Sequence, residues 1–114
     1  MCTKTEALTI LEEVFDRSKD IFGTSLVNSY LYGSYARGDY DSESDVDILL
    51  IVALDLEYIR SKLGEMNKID SELSLSHNIT VSVTVRPLEQ FEKYSDRSPF
   101  YINILSEGIS YAGK

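Results

Sequence analysis

Several residue types that build covalent or metal-bound scaffolds are scarce in this sequence. Its 114 residues include one cysteine, Cys2, one histidine, His77, and no tryptophan. A single cysteine excludes an internal disulfide framework, and together with a single histidine it excludes the usual four-ligand zinc site within one chain. His77 precedes a predicted strand and has no suitable partner nearby in the sequence. We therefore interpret it as a solvated residue without a catalytic role.

Positive charge and long apolar runs are also scarce. Lys and Arg number 11 against 19 Asp and Glu, which gives a net charge of −8. Because affinity for a nucleic-acid backbone comes largely from lysine and arginine, this balance argues against nucleic-acid binding. No apolar run approaches the roughly 20 residues of a membrane helix, and the first residues lack the apolar core of a signal peptide. We therefore expect a cytoplasmic protein without a membrane segment, built as a single domain over residues 1–114.

Hydrophobic periodicity predicts alternating helices and strands. In chain order these are a helix over residues 5–22, a strand over 25–32, a short helix over 34–37, a strand over 46–53, a long helix over 55–73, a strand over 79–85, a helix with Pro87 in its first turn, and a last short helix from Ser98 that ends at Gly108. The unbroken aliphatic run of the second strand indicates burial on both faces and a central position in the sheet. This order predicts an α/β or α+β fold with a small mixed β-sheet flanked by helices.

A glycine-serine turn and an aspartate pair form the candidate site. Gly33 and Ser34 lie between a strand and a short helix, where free amides and a hydroxyl can bind phosphate. Asp45 and Asp47 are two positions apart at the start of the next strand, so their side chains share one face. Neighbouring carboxylates repel each other unless a cation lies between them, and Mg²⁺ suits such a pair. With Arg37 beside the leaving phosphates, these residues predict a metal-triphosphate site for in-line attack on an α-phosphate.

The same stretch resembles the signature of a known family. Its residues are Gly33-Ser34-x-x-Arg37-Gly38 followed by Ser44-Asp45-x-Asp47-Ile48-Leu49. This pattern closely resembles that of the DNA polymerase β-like nucleotidyltransferase superfamily, in its minimal, MNT-type branch. The resemblance implies the polymerase β palm-like fold, phosphate binding by Gly33 and Ser34, and Mg²⁺ ions on Asp45 and Asp47, which would be the catalytic residues.

The resemblance also implies a substrate and a partner. Minimal members of this kind are commonly paired with a helical HEPN-type protein as antitoxin and toxin, and some transfer AMP from ATP to a tyrosine of that partner. We therefore expect ATP or another NTP as substrate, and an antitoxin-like function. A homo-oligomer is also compatible with the sequence.

One position departs from the family pattern. Active members usually carry a third carboxylate on the following strand, but the site-facing positions of the strand over residues 79–85 hold Thr80, Ser82 and Thr84. Ser82 is the matching position. Asp70 and Glu72, on the preceding helix, would need a different geometry to replace it. Glu89 lies beyond the strand.

The missing carboxylate leaves two functions open. One is nucleotidyl transfer by a site with two carboxylates. The other is a non-catalytic module that binds a nucleotide or a partner through the same fold. Tyrosines near the turn do not decide between them. Tyr35 or Tyr40 could pack near a nucleobase, but we favour a half-buried structural role for both.

Overall fold

The computed structural model describes residues 2–113. The elements within this range are α1 (Lys4–Phe22), β1 (Leu26–Tyr32), α2 (Ser34–Arg37), β2 (Val46–Val52), α3 (Leu56–Ser61), α4 (Leu63–His77), β3 (Val81–Pro87), α5 (Leu88–Tyr94), α6 (Pro99–Glu107) and β4 (Ile109–Tyr111). The sheet order is β3-β2-β1-β4. β1 runs antiparallel to both β2 and β4, and β2 runs parallel to β3. This mixed sheet flanked by helices confirms the predicted fold class.

The ends of α1 show why the first helix forms where the sequence predicts it. The Thr3 side chain accepts a hydrogen bond from the Glu6 amide at the start of the helix. Gly23 ends the helix with φ 58°, a conformation that glycine adopts without steric cost. Between these ends, α1 buries most of its apolar stripe, including Ile10 and Val14. The helix therefore covers one face of the sheet.

β2 is the centre of the fold because both of its faces are covered. Ile48 and Leu50 point into the larger core, which α1 and α4 close. Leu49 and Ile51 point to the opposite face, where they pack in a smaller core with Tyr101 of α6 and with Ile104. The predicted central position of this strand is confirmed. Asp47 shares the face of Leu49 and Ile51, since side chains alternate along a strand.

The long helix predicted over residues 55–73 is wrong, because the chain forms two helices. α3 ends at Ser61, and Lys62 has φ −104° and ψ 0°, outside the regular helix. α4 then runs to His77, four residues past the predicted end, and buries Met66, Ile69 and Leu73. α3 buries Ile59 in the same core as these α4 residues, and α4 packs along β3. An apolar period of three to four residues cannot show such a change of direction.

Strand limits near the C-terminal half also differ from the predictions. β3 begins at Val81 rather than at residue 79, because Asn78 ends α4 in a left-handed conformation with φ 53°. It ends at Pro87, which is the N-cap of α5 rather than a first-turn residue. The short strand β4 was not predicted. Within residues 2–113, no helix has the length and apolar character needed to cross a bilayer.

Candidate active site

The turn after β1 has the conformation that its glycines permit. Gly33 has φ 78° and ψ −155°, and Gly38 ends α2 with φ 90°. The carbonyl of Gly33 accepts hydrogen bonds from the amides of Ala36 and Arg37. The first amides of α2 have no acceptor within the helix, as at any helix start. The predicted short helix over residues 34–37 is confirmed, and it places the Ser34 side chain at the turn.

Gly33 and Asp47 are in direct contact. Tyr32, at the end of β1, pairs with Asp47 at the start of β2, so the turn begins beside the carboxylate. A Cβ atom built on Gly33 would lie 2.6 Å from Asp47 Oδ2, closer than real Cβ contacts come. A side chain at position 33 would therefore force the Asp47 carboxylate to move. The structure thus brings together the two halves of the predicted site.

The two aspartates are electrostatically coupled. Asp47 is half-buried, and this burial raises the pKa of its carboxyl group. The negative charge of Asp45 raises the pKa of Asp47 further, and the Arg37 guanidinium opposes both effects. A partly desolvated carboxylate beside a second one is the donor set that a hard divalent cation fits. Asp45 is exposed, so a cation held by the pair would remain open to water and phosphate oxygens.

Arg37 lies on the exposed surface between two carboxylates. Its Nε donates to Asp39 Oδ2 at 3.2 Å, and its Nη1 is 3.6 Å from Glu107 Oε2. These contacts raise the pKa of Arg37, the Asp39 hydrogen bond most strongly, so the side chain keeps its charge. Arg37 also lines a cavity of about 140 Å³ next to the turn, together with Tyr32, Gly33, Phe100, Asn103, Ile104 and Glu107.

α6 borders this site, which the sequence analysis did not predict. Phe100 packs edge-on against Tyr32 with ring centroids 5.4 Å apart, and it lines the cavity beside Gly33. Asn103 and Glu107 follow on the same helix at spacings of three and four residues, which places them on one face. No local motif predicts that this face meets a turn some seventy residues earlier in the chain.

Ser82 lies beside Asp47 in the sheet, where we expect the third carboxylate of active members. Ser82 of β3 pairs with Asp47 in the parallel ladder, so the two side chains lie on the same face. Asp70 cannot take that place, because its Oδ2 accepts a hydrogen bond from the Val83 amide at the outer edge of β3. Glu72 is paired with Arg17. Among residues 2–113, no three His, Cys, Asp or Glu side chains converge as a metal-binding group.

The tyrosines near the turn have structural roles. Tyr35 is fully buried and stacks on Tyr40, with centroids 4.4 Å apart and ring planes 16° from parallel. Its hydroxyl donates to the carbonyl of Cys2, and burial raises the pKa of Tyr35 to about 12. Tyr40 accepts a hydrogen bond from the Lys4 amide. These contacts favour the structural interpretation of the pair.

The interpretation of His77 as an isolated, solvated residue is wrong. Its Nδ1 lies 3.2 Å from Glu6 Oε2 and its Nε2 lies 3.1 Å from Glu13 Oε1. The imidazole at the end of α4 therefore bridges two carboxylates that lie seven residues apart on one face of α1. This contact stabilises the packing of α4 against α1. It is a tertiary contact, which the neighbouring sequence does not contain.

Comparison with known proteins assigns the family. The nucleotidyltransferase domain family model matches residues 11–111. The chain belongs to this family. It is 32% identical over 98 residues to a predicted protein adenylyltransferase of Methanocaldococcus jannaschii, covering 86% of this chain and 90% of that one.

Solved structures with the nucleotidyltransferase fold superpose on most of this chain. A predicted nucleotidyltransferase from Sulfolobus solfataricus superposes with a TM-score of 0.61 at 21% identity, covering 95% of this chain and 81% of that one. A toxin-antitoxin structure with AMP-PNP superposes with a TM-score of 0.54 at 18% identity, covering 90% and 74%. At these identities the similarity shows the fold alone, and it agrees with the fold that the resemblance implied.

Proposed function

We propose that this nucleotidyltransferase domain transfers a nucleoside monophosphate, AMP in the first instance, from an NTP to a hydroxyl group of a protein partner. The observation that carries the proposal is the contact of Gly33 with Asp47. It places a glycine-serine turn, suited to phosphate, against a carboxylate pair suited to a divalent cation. The family model and the adenylyltransferase relative support the same class of reaction.

Each residue of the site has a proposed role. Asp45 and Asp47 would hold Mg²⁺, which would neutralise charge on the phosphates when bound. The backbone at Gly33 and the hydroxyl of Ser34 would bind phosphate oxygens. Arg37 would release Asp39 and Glu107 and pair with the leaving phosphates instead. The acceptor oxygen would attack the α-phosphorus in line, forming a new P–O bond as the bond to pyrophosphate breaks. The acceptor proton would pass to solvent.

We propose an antitoxin-like role with a HEPN-type protein as the acceptor. This part rests on the motif resemblance and on the similarity in fold to a toxin-antitoxin structure. The chain would act as a single domain in the cytoplasm, where ATP and Mg²⁺ are available. This proposal is compatible with a homo-oligomer. The acidic surface, with its net charge of −8, is suited to a basic protein partner rather than to nucleic acid.

The test is transfer of label from ATP labelled at the α-phosphate, with Mg²⁺ and a HEPN-type protein that co-purifies with this chain. Label should appear on the partner with the wild-type chain and disappear with Asp47→Asn. Asp20→Asn is a matched control, because it removes the same charge from an exposed position of α1. Equal labelling by wild type and Asp47→Asn would refute the assignment of the site.

A second candidate function is a module that binds a nucleotide or a partner without catalysis. The observation that favours it is Ser82, which pairs with Asp47 where a third carboxylate would complete a two-metal site. This candidate predicts Mg²⁺-dependent nucleotide binding that Asp47→Asn abolishes, with no transfer of label. Nucleotide binding and label transfer, measured on the same preparations, therefore separate the two functions.

A further inference from the structure

The break between α3 and α4 opens a groove beside the edge strand β3. Its volume is about 360 Å³. Four apolar side chains form its floor, two of them buried and two exposed at about 40% of their surface: Ile59, Val85, Leu56 and Leu63. Arg60 and Arg86 line the same space, and we call it the Arg60–Arg86 groove. It lies between α3, the first residue of α4, β3 and Gln90 of α5.

The charge of the groove is opposite to that of the molecule. The chain carries 19 acidic residues, yet none of them lines this groove. Neither Arg60 nor Arg86 takes part in the ion pairs found within residues 2–113. Two positive side chains that line one cavity attract an anion. Arg86 also donates a hydrogen bond to the Val85 carbonyl and lies beside Tyr101. Guanidinium groups match carboxylates in geometry better than a lysine would.

The edge strand β3 closes one side of the groove, and its backbone is covered there. β3 lies at one end of the strand order. α4 covers its first half, since Ser74 Oγ accepts from the Val81 amide at 2.9 Å and Asp70 Oδ2 accepts from the Val83 amide at 3.4 Å. Val85 is the next residue whose backbone points away from β2, because these groups alternate along a strand. It is buried, with 5% of its surface exposed, and its carbonyl accepts from Arg86 Nη1 at 3.1 Å. The groove therefore offers a partner its side chains rather than free backbone groups.

We propose that the Arg60–Arg86 groove binds an extended acidic segment of a partner protein. Carboxylates of the segment would pair with Arg60 and Arg86, and an apolar side chain would cover Leu56 and Leu63. A nucleic acid does not fit, since the rest of the surface would repel it. The proposal does not depend on the nucleotidyltransferase activity.

The test uses a fluorescein-labelled peptide of alternating glutamate and leucine, with binding to the full chain followed by anisotropy. Arg60→Glu should weaken binding by about tenfold or more, because it replaces attraction with repulsion at an exposed position. Arg97→Glu is the matched control. It makes the same charge change at an exposed residue outside the groove, paired with Asp96. This control should change the affinity by less than about twofold.

Several results would overturn the proposal. They are no binding of the peptide, or equal weakening by Arg60→Glu and Arg97→Glu. Displacement of the peptide by inorganic phosphate at similar concentrations would assign the groove to a small anion instead. A dimer in light scattering that Arg60→Glu dissociates would assign it to a second copy of this chain.

Discussion

The backbone of Gly33 lies against the carboxylate of Asp47, and a Cβ atom at Gly33 would stand 2.6 Å from Oδ2. This contact joins two segments that are 14 residues apart in the sequence. At Gly33 the contact adds a second requirement for glycine to that of the backbone conformation. Gly23 has a similar conformation, with φ 58° and ψ −138°, but no atom lies within 4 Å of its missing Cβ.

These two glycines give the first prediction. Gly33→Ala should lower the free energy of unfolding by about 1–3 kcal/mol from backbone strain, and in addition displace the Asp47 carboxylate. Gly23→Ala shares the strain without the clash, and should leave nucleotide binding intact. Chemical unfolding and nucleotide titration of both variants check this. Loss of nucleotide affinity to the same extent in both would show that the contact with Asp47 does not matter.

The charge of Asp45 should stabilise the metal-bound protein and destabilise the metal-free protein. Its charge raises the pKa of the half-buried Asp47 carboxyl, which means that the two repel each other without a cation. In EDTA, Asp45→Asn should therefore raise the unfolding free energy by a few tenths of a kcal/mol. With Mg²⁺ and ATP, it should lose the thermal shift of the wild type. Glu43→Gln, in the same exposed loop, should do neither.

Ser82 should limit metal affinity. Ser82→Asp places a carboxylate beside Asp47 in the parallel ladder, where the family pattern expects one. We expect Mg²⁺ to bind about tenfold more tightly in the presence of nucleotide. Titration of Mg²⁺ against a fixed concentration of an ATP analogue measures this. Ser110→Asp is the control, because Ser110 is an exposed residue of β4. An equal gain in Mg²⁺ affinity in this variant would contradict the placement of the metal.

Asp70 should make the fold less stable as the pH rises. Burial raises the pKa of its carboxyl to about 6, against an ordinary 3.8, and the Val83 amide only partly offsets this. One carboxylate oxygen, Oδ1, has no hydrogen-bond partner within residues 2–113. Between about pH 4 and pH 6 the folded state therefore holds the proton that the unfolded state has lost, so the contribution of Asp70 to stability decreases across this range.

Asp70→Asn tests that sign. The amide oxygen can still accept from the Val83 amide, and the ionisation penalty is absent. At pH 7 the variant should be more stable by about 1 kcal/mol, a value reduced for the partial exposure of the carboxyl. At pH 4 the difference should vanish. Urea unfolding at both pH values measures it, and a gain that is equal at both would contradict the burial argument.

The core of the fold and the candidate site were predictable because their signals are local. The aliphatic run after Asp47 indicates a central strand, and it lies between two covered faces. Gly33 and Gly38 are turn signals that the backbone uses with positive φ. The two-residue spacing of Asp45 and Asp47 places both side chains on one face whatever the partners of that strand are.

Features that depend on distant partners were not predictable. His77 bridges Glu6 and Glu13, which are 71 and 64 residues away in the sequence. β4 is three residues long, and it is a strand only because β1 offers it a free edge. No proline marks the interruption at Lys62, and Gly64, two residues beyond it, is the one local helix-breaking signal. The groove proposed as a peptide site is lined by residues on both sides of that interruption.

The most direct test of the central claim is calorimetric titration with a non-hydrolysable ATP analogue, in Mg²⁺ and in EDTA. Asp45, Asp47 and the Gly33 turn are proposed to hold the metal and nucleotide together. The wild type should bind one equivalent in Mg²⁺ and lose most of its affinity in EDTA. Asp47→Asn should bind at least about tenfold more weakly in Mg²⁺, and Asp20→Asn should bind as the wild type does. Unchanged binding by Asp47→Asn, or equal affinity in Mg²⁺ and EDTA, would contradict the account.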